Sequence, residues 1–160
     1  MANASAKHTE IERKFLVDTT LWTDRSGGKP YRQAYLSKEG NTVRARIAGD
    51  KAYLTIKGKA KGISRSEFEY EIPVADAEAL FSLAVSAIVS KTRYRQMVNG
   101  KLWEIDVFHG DNEGLVVAEI ELENEDESFE KPIWATEEVS FDKRYTNASL
   151  ARNPYKNWLR

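Results

Sequence analysis

Hydrophobic and charged residues alternate with a period of two along most of the chain. In the stretch EIERK, charged Glu10, Glu12 and Lys14 occupy every second position. Successive side chains of a β-strand point to opposite faces, so this spacing places all three on one face. The same alternation predicts eight strands, near residues 9–17, 31–37, 41–48, 51–58, 65–72, 91–99, 101–108 and 116–123.

Turn signals and one helical pattern complete the predicted elements. Asn99-Gly100 separates two of the predicted strands, and Asn-Gly is the strongest short hairpin signal. Apolar residues recur with helical spacing over 74–88, where Asp76 is a candidate N-cap. Shorter helical pieces are expected at 19–24 and within 147–160. The pattern therefore predicts an α+β fold in which antiparallel strands dominate.

Composition fits one folded domain, which we expect over residues 9–160 behind a flexible tail at 1–8. The chain is 41% apolar and 31% charged with a net charge of −1, so its total charge predicts neither nucleic-acid nor membrane binding. It has no cysteine, which excludes disulfides, thiolate zinc sites and a cysteine nucleophile. The first residues, MANASAKHT, lack a long apolar stretch, so we expect no signal peptide, and no apolar run of the sequence approaches the roughly 20 residues of a membrane span. We expect a cytoplasmic protein.

The charged faces of the predicted strands are separated by sign. Arg44 and Arg46 share a face of one strand, and Lys91 and Arg93 share a face of another. Two further strands carry carboxylates at alternate positions: Glu67, Glu69 and Glu71, and Glu119, Glu121 and Glu123. A solvated strand face is the ordinary interpretation of any one of these strands. Contact with water alone does not select for sign, so the blocks of like charge favour a ligand site.

Together these charges suit a polyanion that is bound with divalent cations. The planar fork of arginine matches phosphate oxygens, and lysine adds a compact point charge. Carboxylates bind hard cations such as Mg²⁺, which also bind phosphate oxygens. An antiparallel sheet closed into a barrel of about eight strands can hold one small ligand along its axis. Periodicity alone does not establish closure, and an inward charged face would leave an apolar exterior to be covered.

The ordered set of motifs resembles the CYTH domain, or triphosphate tunnel metalloenzyme, superfamily. Its ExExK signature matches EIERK, and the family order continues through VRAR, LTIKG, RSEFEYEIP, KTRY, WEIDVF, AEIELE and DKRYTN. The resemblance covers about residues 9–151. It implies a closed tunnel of eight antiparallel strands, with the charged residues inside and a few helices packed outside. It also implies a metal-dependent hydrolase of triphosphates, with inorganic tripolyphosphate as the favoured substrate and pyrophosphate and phosphate as products.

The resemblance further implies roles for single residues. The implied phosphate clamp consists of Lys14, Arg44, Arg46, Lys57, Lys91 and Arg93. Lys91 also resembles the lysine associated with water activation in tripolyphosphatase members. The implied ligands of Mg²⁺ or Mn²⁺, with two ions expected, are Glu10, Glu12, Glu69, Glu119 and Glu121. Further residues expected to face the same way are Glu67, Asp106, Glu123 and Arg144. The segment 147–160 would either plug one tunnel mouth or cap the apolar exterior.

Several alternatives stay open from the sequence alone. A class IV adenylyl cyclase or a thiamine triphosphatase would use the same clamp, although nothing indicates a nucleobase pocket. A polyphosphate- or nucleotide-binding module would not need the acids. We expect a small triphosphate as the partner, no nucleic acid or membrane, and a monomer or homodimer. Whether Lys91 acts as a base also stays open, because nearby arginines lower its pKa whereas nearby acids raise it.

Overall fold

The computed structural model describes residues 8–158. Within this range it contains nine β-strands and two α-helices, with three short 3-10 turns. The strands are β1 (Thr9–Val17), β2 (Lys29–Tyr35), β3 (Thr42–Ala48), β4 (Lys51–Lys57), β5 (Ser64–Ile72), β6 (Val89–Val98), β7 (Lys101–Phe108), β8 (Val116–Glu121) and β9 (Ala135–Glu138). The helices are α1 (Val74–Phe81) and α2 (Asn147–Arg152). Apart from His8, the tail expected at 1–8 lies outside the described residues.

Eight strands close into an antiparallel barrel. Hydrogen-bonded neighbours follow the order β5-β4-β3-β2-β6-β7-β8-β1, and β1 pairs in turn with β5 between Thr9 and Ser66. This confirms the predicted barrel. A ninth strand, β9, pairs with β1 through Phe15 and Val17, with a register shift between these two residues. The alternation did not signal β9, because its four residues are too few to show a period.

The apolar face of the strands points outward and is covered by loops and by α1. Alternate residues of β1, β7 and β8 form one outer core, to which the loops contribute Trp22 and Trp134. On another side, Ala77 of α1 packs against Ile47 and Ala52. The apolar cores therefore lie outside this part of the barrel wall, which leaves the barrel interior to the charged face.

The second helix closes one end of the barrel. Leu150 of α2 is fully buried and packs against Val89, Phe108 and Val117. Each of these three strand residues lies two positions from a charged residue of the inward face, so it also points inward. Of the two expectations for the C-terminal segment, the structure therefore favours the plug over a cap on the exterior.

The helix predicted at 74–88 is shorter than expected. It ends at Phe81, because the following residues bond to β2 instead of continuing the helix. The amide of Val85 donates to the carbonyl of Tyr35, and the amide of Tyr35 donates to Ser86 Oγ at 3.1 Å. Tertiary hydrogen bonds thus override the helical propensity of this stretch.

Two local predictions about turns and caps have different outcomes. Asn99 and Gly100 have φ angles of 52° and 78°, the left-handed pair that a type I′ hairpin requires. The predicted cap is wrong, because Pro73 occupies the N-cap position and Asp76 lies in the first turn of α1. The helical piece expected at 19–24 is a turn.

No helix in the described part of the chain is long and apolar enough to cross a membrane.

Candidate active site

A cavity of about 110 Å³ lies within the barrel and opens to solvent. Nine of the eleven site residues predicted from the sequence line it: Glu10, Glu12, Lys14, Arg44, Arg46, Lys57, Arg93, Glu119 and Glu121. The closed barrel explains this convergence, because residues at alternate positions of neighbouring strands all face the axis. Thr146 and Asn147 of the C-terminal segment also line the cavity, as do Arg65, Glu67 and Glu104.

Carboxylates crowd one side of the cavity, where β1 pairs with β8. Glu12 lies directly opposite Glu121, and Lys14 lies opposite Glu119. Burial raises the pKa of Glu12 to about 8, and the negative charges of Glu119 and Glu10 add to the effect. Like charges held this close favour either a proton or a bound cation. This side of the cavity therefore attracts positive charge.

Lysine and arginine side chains hold the other carboxylates of this side. Lys57 Nζ donates to both oxygens of Glu10, at 3.1 and 3.2 Å. Glu119 accepts from Arg93 Nη2 at 3.2 Å and lies 3.3 Å from Lys14 Nζ. Although burial opposes ionisation, the charges of Lys14 and Arg93 lower the pKa of Glu119 to about 2. Glu119 is therefore ionised at neutral pH.

Arginines on the opposite side carry charge that nothing in the described chain fully neutralises. No carboxylate among residues 8–158 pairs with Arg46, whose Nε donates to the neutral Gln33 Oε1 at 2.8 Å. Burial and the nearby Arg44 and Arg93 lower the pKa of Arg46 to about 10, so it stays charged at neutral pH. Arg44 Nε is buried without a hydrogen-bond partner in the described structure. Arg44 pairs with Glu69 through Nη2, but its buried Nε and the charge of Arg46 have no anionic partner among the described residues, so this wall is suited to an anion.

Lys91 lies behind the cavity wall and is not one of the residues that line it. Its side chain is fully buried, and its Nζ donates to Asp106 Oδ2 at 2.8 Å and to Asn147 Oδ1 at 3.1 Å. Asp106 also binds Arg93 in a bidentate pair, with Nε and Nη2 at 2.7 and 2.8 Å. Burial works against the charge of Asp106, but Arg93 and Lys91 hold its pKa well below the ordinary range.

Because Arg93 already neutralises Asp106, Lys91 is the second cation on a single carboxylate. Burial lowers the pKa of Lys91 to about 7. Asp106 opposes this change, whereas the positive charges of Arg93 and Arg46 add to it. From the sequence alone, it stayed open whether the arginines that lower the pKa of Lys91 or the acids that raise it dominate. In the structure the lowering effects dominate, so Lys91 loses its proton near neutral pH.

Three residues that were expected to face the tunnel do not line the cavity: Glu69, Glu123 and Arg144. Glu69 Oε2 accepts from Thr55 Oγ1 at 2.8 Å and lies 3.3 Å from Arg44 Nη2, so it supports an arginine of the wall. Glu123 is exposed and follows the end of β8, where the alternation no longer applies. Arg144 is exposed and pairs with Asp142 at 2.7 Å. Its guanidinium lies over the ring of Trp158, so the expectation that it faces the tunnel is wrong.

The inward face of β2 was not recognised from the sequence. Tyr31, Gln33 and Tyr35 alternate in KPYRQAY, and the Gln33 amide donates to the Tyr35 hydroxyl at 3.0 Å. The ring of Tyr31 lies between 5.0 and 5.8 Å from the cationic groups of Arg46, Arg93 and Lys91. The spacing of β2 carries the same period-two signal. Its inward side chains are neutral, however, and the sequence prediction selected strand faces by their charged residues.

The donor chemistry of the acidic side fits a hard divalent cation. Glu12 is crowded by Glu10 and Glu119, and carboxylate oxygens are the ligands that Mg²⁺ and Mn²⁺ prefer. In the part of the chain that the structure describes, no three acidic or histidine side chains converge on one metal position. Glu10 and Glu119 are instead bound by Lys57 and Lys14. A metal ion would therefore compete with these lysines for the carboxylates.

Comparisons with known proteins identify the relatives of this chain. A family profile described as the CYTH domain matches residues 8–153. An Acetivibrio thermocellus protein named inorganic triphosphatase is 48% identical over 151 residues, which cover 93% of this chain and 97% of that protein. A Nitrosomonas europaea protein of the same name is 39% identical over 148 residues, with coverage of 89% and 97%. A crystal structure of an inorganic triphosphatase aligns with a TM-score of 0.66 at 38% identity and covers 89% of this chain and 93% of that one.

Proposed function

The chain belongs to the CYTH domain family, and we propose that it hydrolyses inorganic tripolyphosphate to pyrophosphate and orthophosphate. The observation that carries the proposal is the incompletely neutralised arginine wall of the cavity. Arg46 has no carboxylate partner among the described residues, and Arg44 retains a buried, unpaired Nε donor. The two relatives reported above, at 48% and 39% identity, are named inorganic triphosphatases, which supports the same substrate class.

The size of the cavity supports an inorganic substrate over a nucleotide. Its volume of about 110 Å³ is well below the roughly 300–1,000 Å³ of pockets that enclose drug-sized organic ligands. Most of its lining is charged, and Tyr35, whose hydroxyl accepts from the Gln33 amide, is the one aromatic side chain among the described lining residues. A chain of phosphates needs mainly positive charge, which this wall provides.

Family members are generally metal-dependent, and we propose Mg²⁺ or Mn²⁺, bound as two ions, for this chain. The proposed ligands are Glu10, Glu12, Glu119 and Glu121, with Glu69 a more distant candidate because it supports Arg44. A bound dication neutralises charge on the phosphate oxygens and favours ionisation of a water molecule. The raised pKa of Glu12 supports this assignment, because it reports carboxylates that repel one another.

The residues of the chain supply binding and proton transfer. Lys14, Arg44, Arg46, Lys57 and Arg93 bind the phosphate oxygens and orient the terminal phosphoryl group. Attack of water on its phosphorus breaks the bridging P–O bond, releases pyrophosphate and frees one proton. Lys91 is the proposed acceptor of that proton, because an amine with a pKa of about 7 is partly neutral at the pH of the cytoplasm. Because Lys91 does not line the cavity, the proton would pass to it through one further water.

A panel of substrates tests the proposal. Release of phosphate from tripolyphosphate, ATP, thiamine triphosphate and pyrophosphate would be measured with Mg²⁺ and with Mn²⁺. We expect kcat/KM for tripolyphosphate to exceed that for ATP by at least about tenfold, or roughly 1.4 kcal/mol of transition-state binding. Cyclic AMP formed as fast as phosphate is released would support the cyclase instead. Tight binding of tripolyphosphate without turnover under any of these conditions would indicate a binding module.

A further inference from the structure

We propose that Asn147 is a positioning residue, which holds the amine of Lys91 in one orientation and couples it to the C-terminal plug. The proposal rests on the proposed function, because it assigns Asn147 a part in the same hydrolysis. It starts from one contact inside the barrel: Lys91 Nζ donates to Asn147 Oδ1 at 3.1 Å and to Asp106 Oδ2 at 2.8 Å.

The number of donors on a lysine amine explains why the second acceptor matters. A neutral amine has two N–H groups and one lone pair. Asp106 and Asn147 together accept both N–H groups, so the lone pair must occupy the remaining tetrahedral direction. With Asp106 alone, the amine could rotate about its Cε–Nζ bond and spread the lone pair over several directions. Two fixed acceptors therefore keep the basic electron pair aligned with its target.

The rest of the surroundings of Lys91 contains no substitute for Asn147. The side chain is fully buried, and its Nζ lies 5.6 Å from the ring of Phe108 and 5.8 Å from that of Tyr31. The charged and titratable groups that face Lys91 from the neighbouring strands are Asp106, Arg93, Arg46, Glu119 and Tyr31. Among the described residues, Asp106 is the one carboxylate that accepts a hydrogen bond from Lys91, and Asn147 is the one neutral acceptor.

Asn147 is itself fixed by the plug. It is the first residue of α2, and Thr146 caps this helix by accepting from the Ser149 amide at 3.1 Å. Leu150, three residues on, is fully buried in the end of the barrel. On the other side, Tyr145 O accepts from Lys14 Nζ at 3.1 Å. The segment that carries Asn147 is thus anchored on both sides, and Asn147 both lines the cavity and contacts Lys91.

The kinetic test uses Asn147→Leu, which keeps the branched shape of the side chain but removes the acceptor. With tripolyphosphate and Mg²⁺, we expect kcat to fall about tenfold or more while KM changes less than about threefold. The decisive comparison adds Asn147→Leu to Lys91→Ala. If Asn147 acts through Lys91, the second substitution costs nothing further. Additive losses of kcat, or a Lys91→Ala variant with full kcat in an active enzyme, would overturn the proposal.

A matched control separates positioning from stability. Leu150→Ala weakens the plug without removing a contact of Lys91. Leu150→Ala should lower Tm, and any part of its loss of kcat that reaches Lys91 through Asn147 should vanish in the Lys91→Ala background. If Asn147→Leu lowers Tm as Leu150→Ala does and its loss of kcat adds in full to that of Lys91→Ala, Asn147 has a structural role only and the proposal is wrong.

A second measurement does not depend on activity. The Nζ resonance of Lys91 in isotope-labelled, metal-free protein is identified by its absence in Lys91→Ala and titrated by NMR. In Asn147→Asp, which keeps the acceptor but adds a negative charge, the pKa of Lys91 should rise by about one unit or more. An unchanged titration shows that residue 147 does not contact Lys91 and overturns the inference. The titration can be measured even if the protein hydrolyses no triphosphate. A failure of the proposed function can therefore be distinguished from a failure of the inference about Asn147.

Discussion

Two lysines of equal charge are held differently within the barrel. Lys14 lines the cavity, where it lies 3.3 Å from Glu119. Lys91 lies behind the wall, fully buried beside Asp106. Burial works against the charge of both, but Glu119 and Glu12 raise the pKa of Lys14 above its ordinary value, whereas the pKa of Lys91 falls to about 7. Lys14 is therefore suited to bind phosphate as a permanent cation, and Lys91 to exchange a proton.

Substitution of each lysine should affect a different kinetic constant. Lys14→Ala removes a cation that binds substrate and transition state alike, so it should chiefly raise KM for tripolyphosphate. Lys91→Ala should chiefly lower kcat, by about 10²-fold or more, on the scale of general acid–base groups. Steady-state kinetics would separate the two, and calorimetry should show that the Lys91 variant still binds tripolyphosphate with metal. Lost binding with unchanged kcat at saturation would make Lys91 a clamp residue.

The raised pKa of Glu12 predicts how metal-free stability depends on pH. Between its ordinary pKa and about 8, the folded protein keeps a proton on Glu12 that the unfolded chain has lost. The free energy of unfolding should therefore fall as pH rises through this window. Urea unfolding in chelator, at about pH 5.5 and about pH 8, should show a smaller fall for Glu12→Gln than for the wild type.

An exposed acid provides the control for Glu12. Glu113 lies on the surface in the loop before β8, and Glu113→Gln should leave the pH dependence of unfolding as in the wild type. Glu12→Gln should also abolish metal-supported turnover, because a neutral amide is a poorer ligand for a hard dication. Equal pH slopes for Glu12→Gln and the wild type, or full activity in that variant, would contradict the account of the acidic side.

At the level of elements, strands were more predictable than helices. The predicted ends of all eight barrel strands lie within about two residues of those observed. A strand keeps its period-two pattern for as long as one face is apolar and the other is polar, so the pattern marks where the strand ends. Helix α1 was overestimated, because the bonds of Val85 and Ser86 to β2 depend on a partner distant in sequence. The position of α2 was open for the same reason. Its apolar residues could cover either the exterior or the inward residues Val89 and Phe108.

Two leucines test the plug formed by α2. Leu150 is fully buried in the barrel end, whereas Leu83 is 66% exposed after α1. Leu150→Ala should lower the free energy of unfolding by about 2–5 kcal/mol, as for other large-to-small substitutions in cores. Leu83→Ala should change it by less than about 0.5 kcal/mol. Chemical denaturation of both variants would show the difference, and similar values would mean that α2 does not stabilise the barrel.

At the scale of the whole molecule, a net charge of −1 conceals a strong separation of charge within the barrel. Carboxylates crowd the side of β1 and β8, and the arginines of β3 face them across the cavity. Sequence alternation identified most of these groups, such as Arg44 and Glu119, because each shares a strand face with others of its sign. It missed Gln33 and Asn147, which are neutral and gain importance only through contacts with Arg46 and Lys91. Such contacts depend on the closed barrel.

Ligands that neutralise both sides should stabilise the fold together. Mg²⁺ relieves the repulsion among the carboxylates, and tripolyphosphate pairs with the arginines. Binding to the folded state alone raises stability by about 2.7 kcal/mol at one hundred times Kd. Thermal melts should therefore show a larger rise in Tm with both ligands than the sum of their separate effects. A purely additive rise would mean that metal and phosphate bind independently.

The central claim is that this barrel cleaves a phosphoanhydride bond of inorganic tripolyphosphate. Phosphorus NMR of tripolyphosphate with catalytic amounts of protein and Mg²⁺ tests it most directly, because substrate and both products give separate signals. The account predicts that the tripolyphosphate signals decline while pyrophosphate and orthophosphate appear in equal amounts, and that Glu12→Gln leaves the spectrum unchanged. Tripolyphosphate that stays intact with both Mg²⁺ and Mn²⁺, although it binds the protein, would contradict the account.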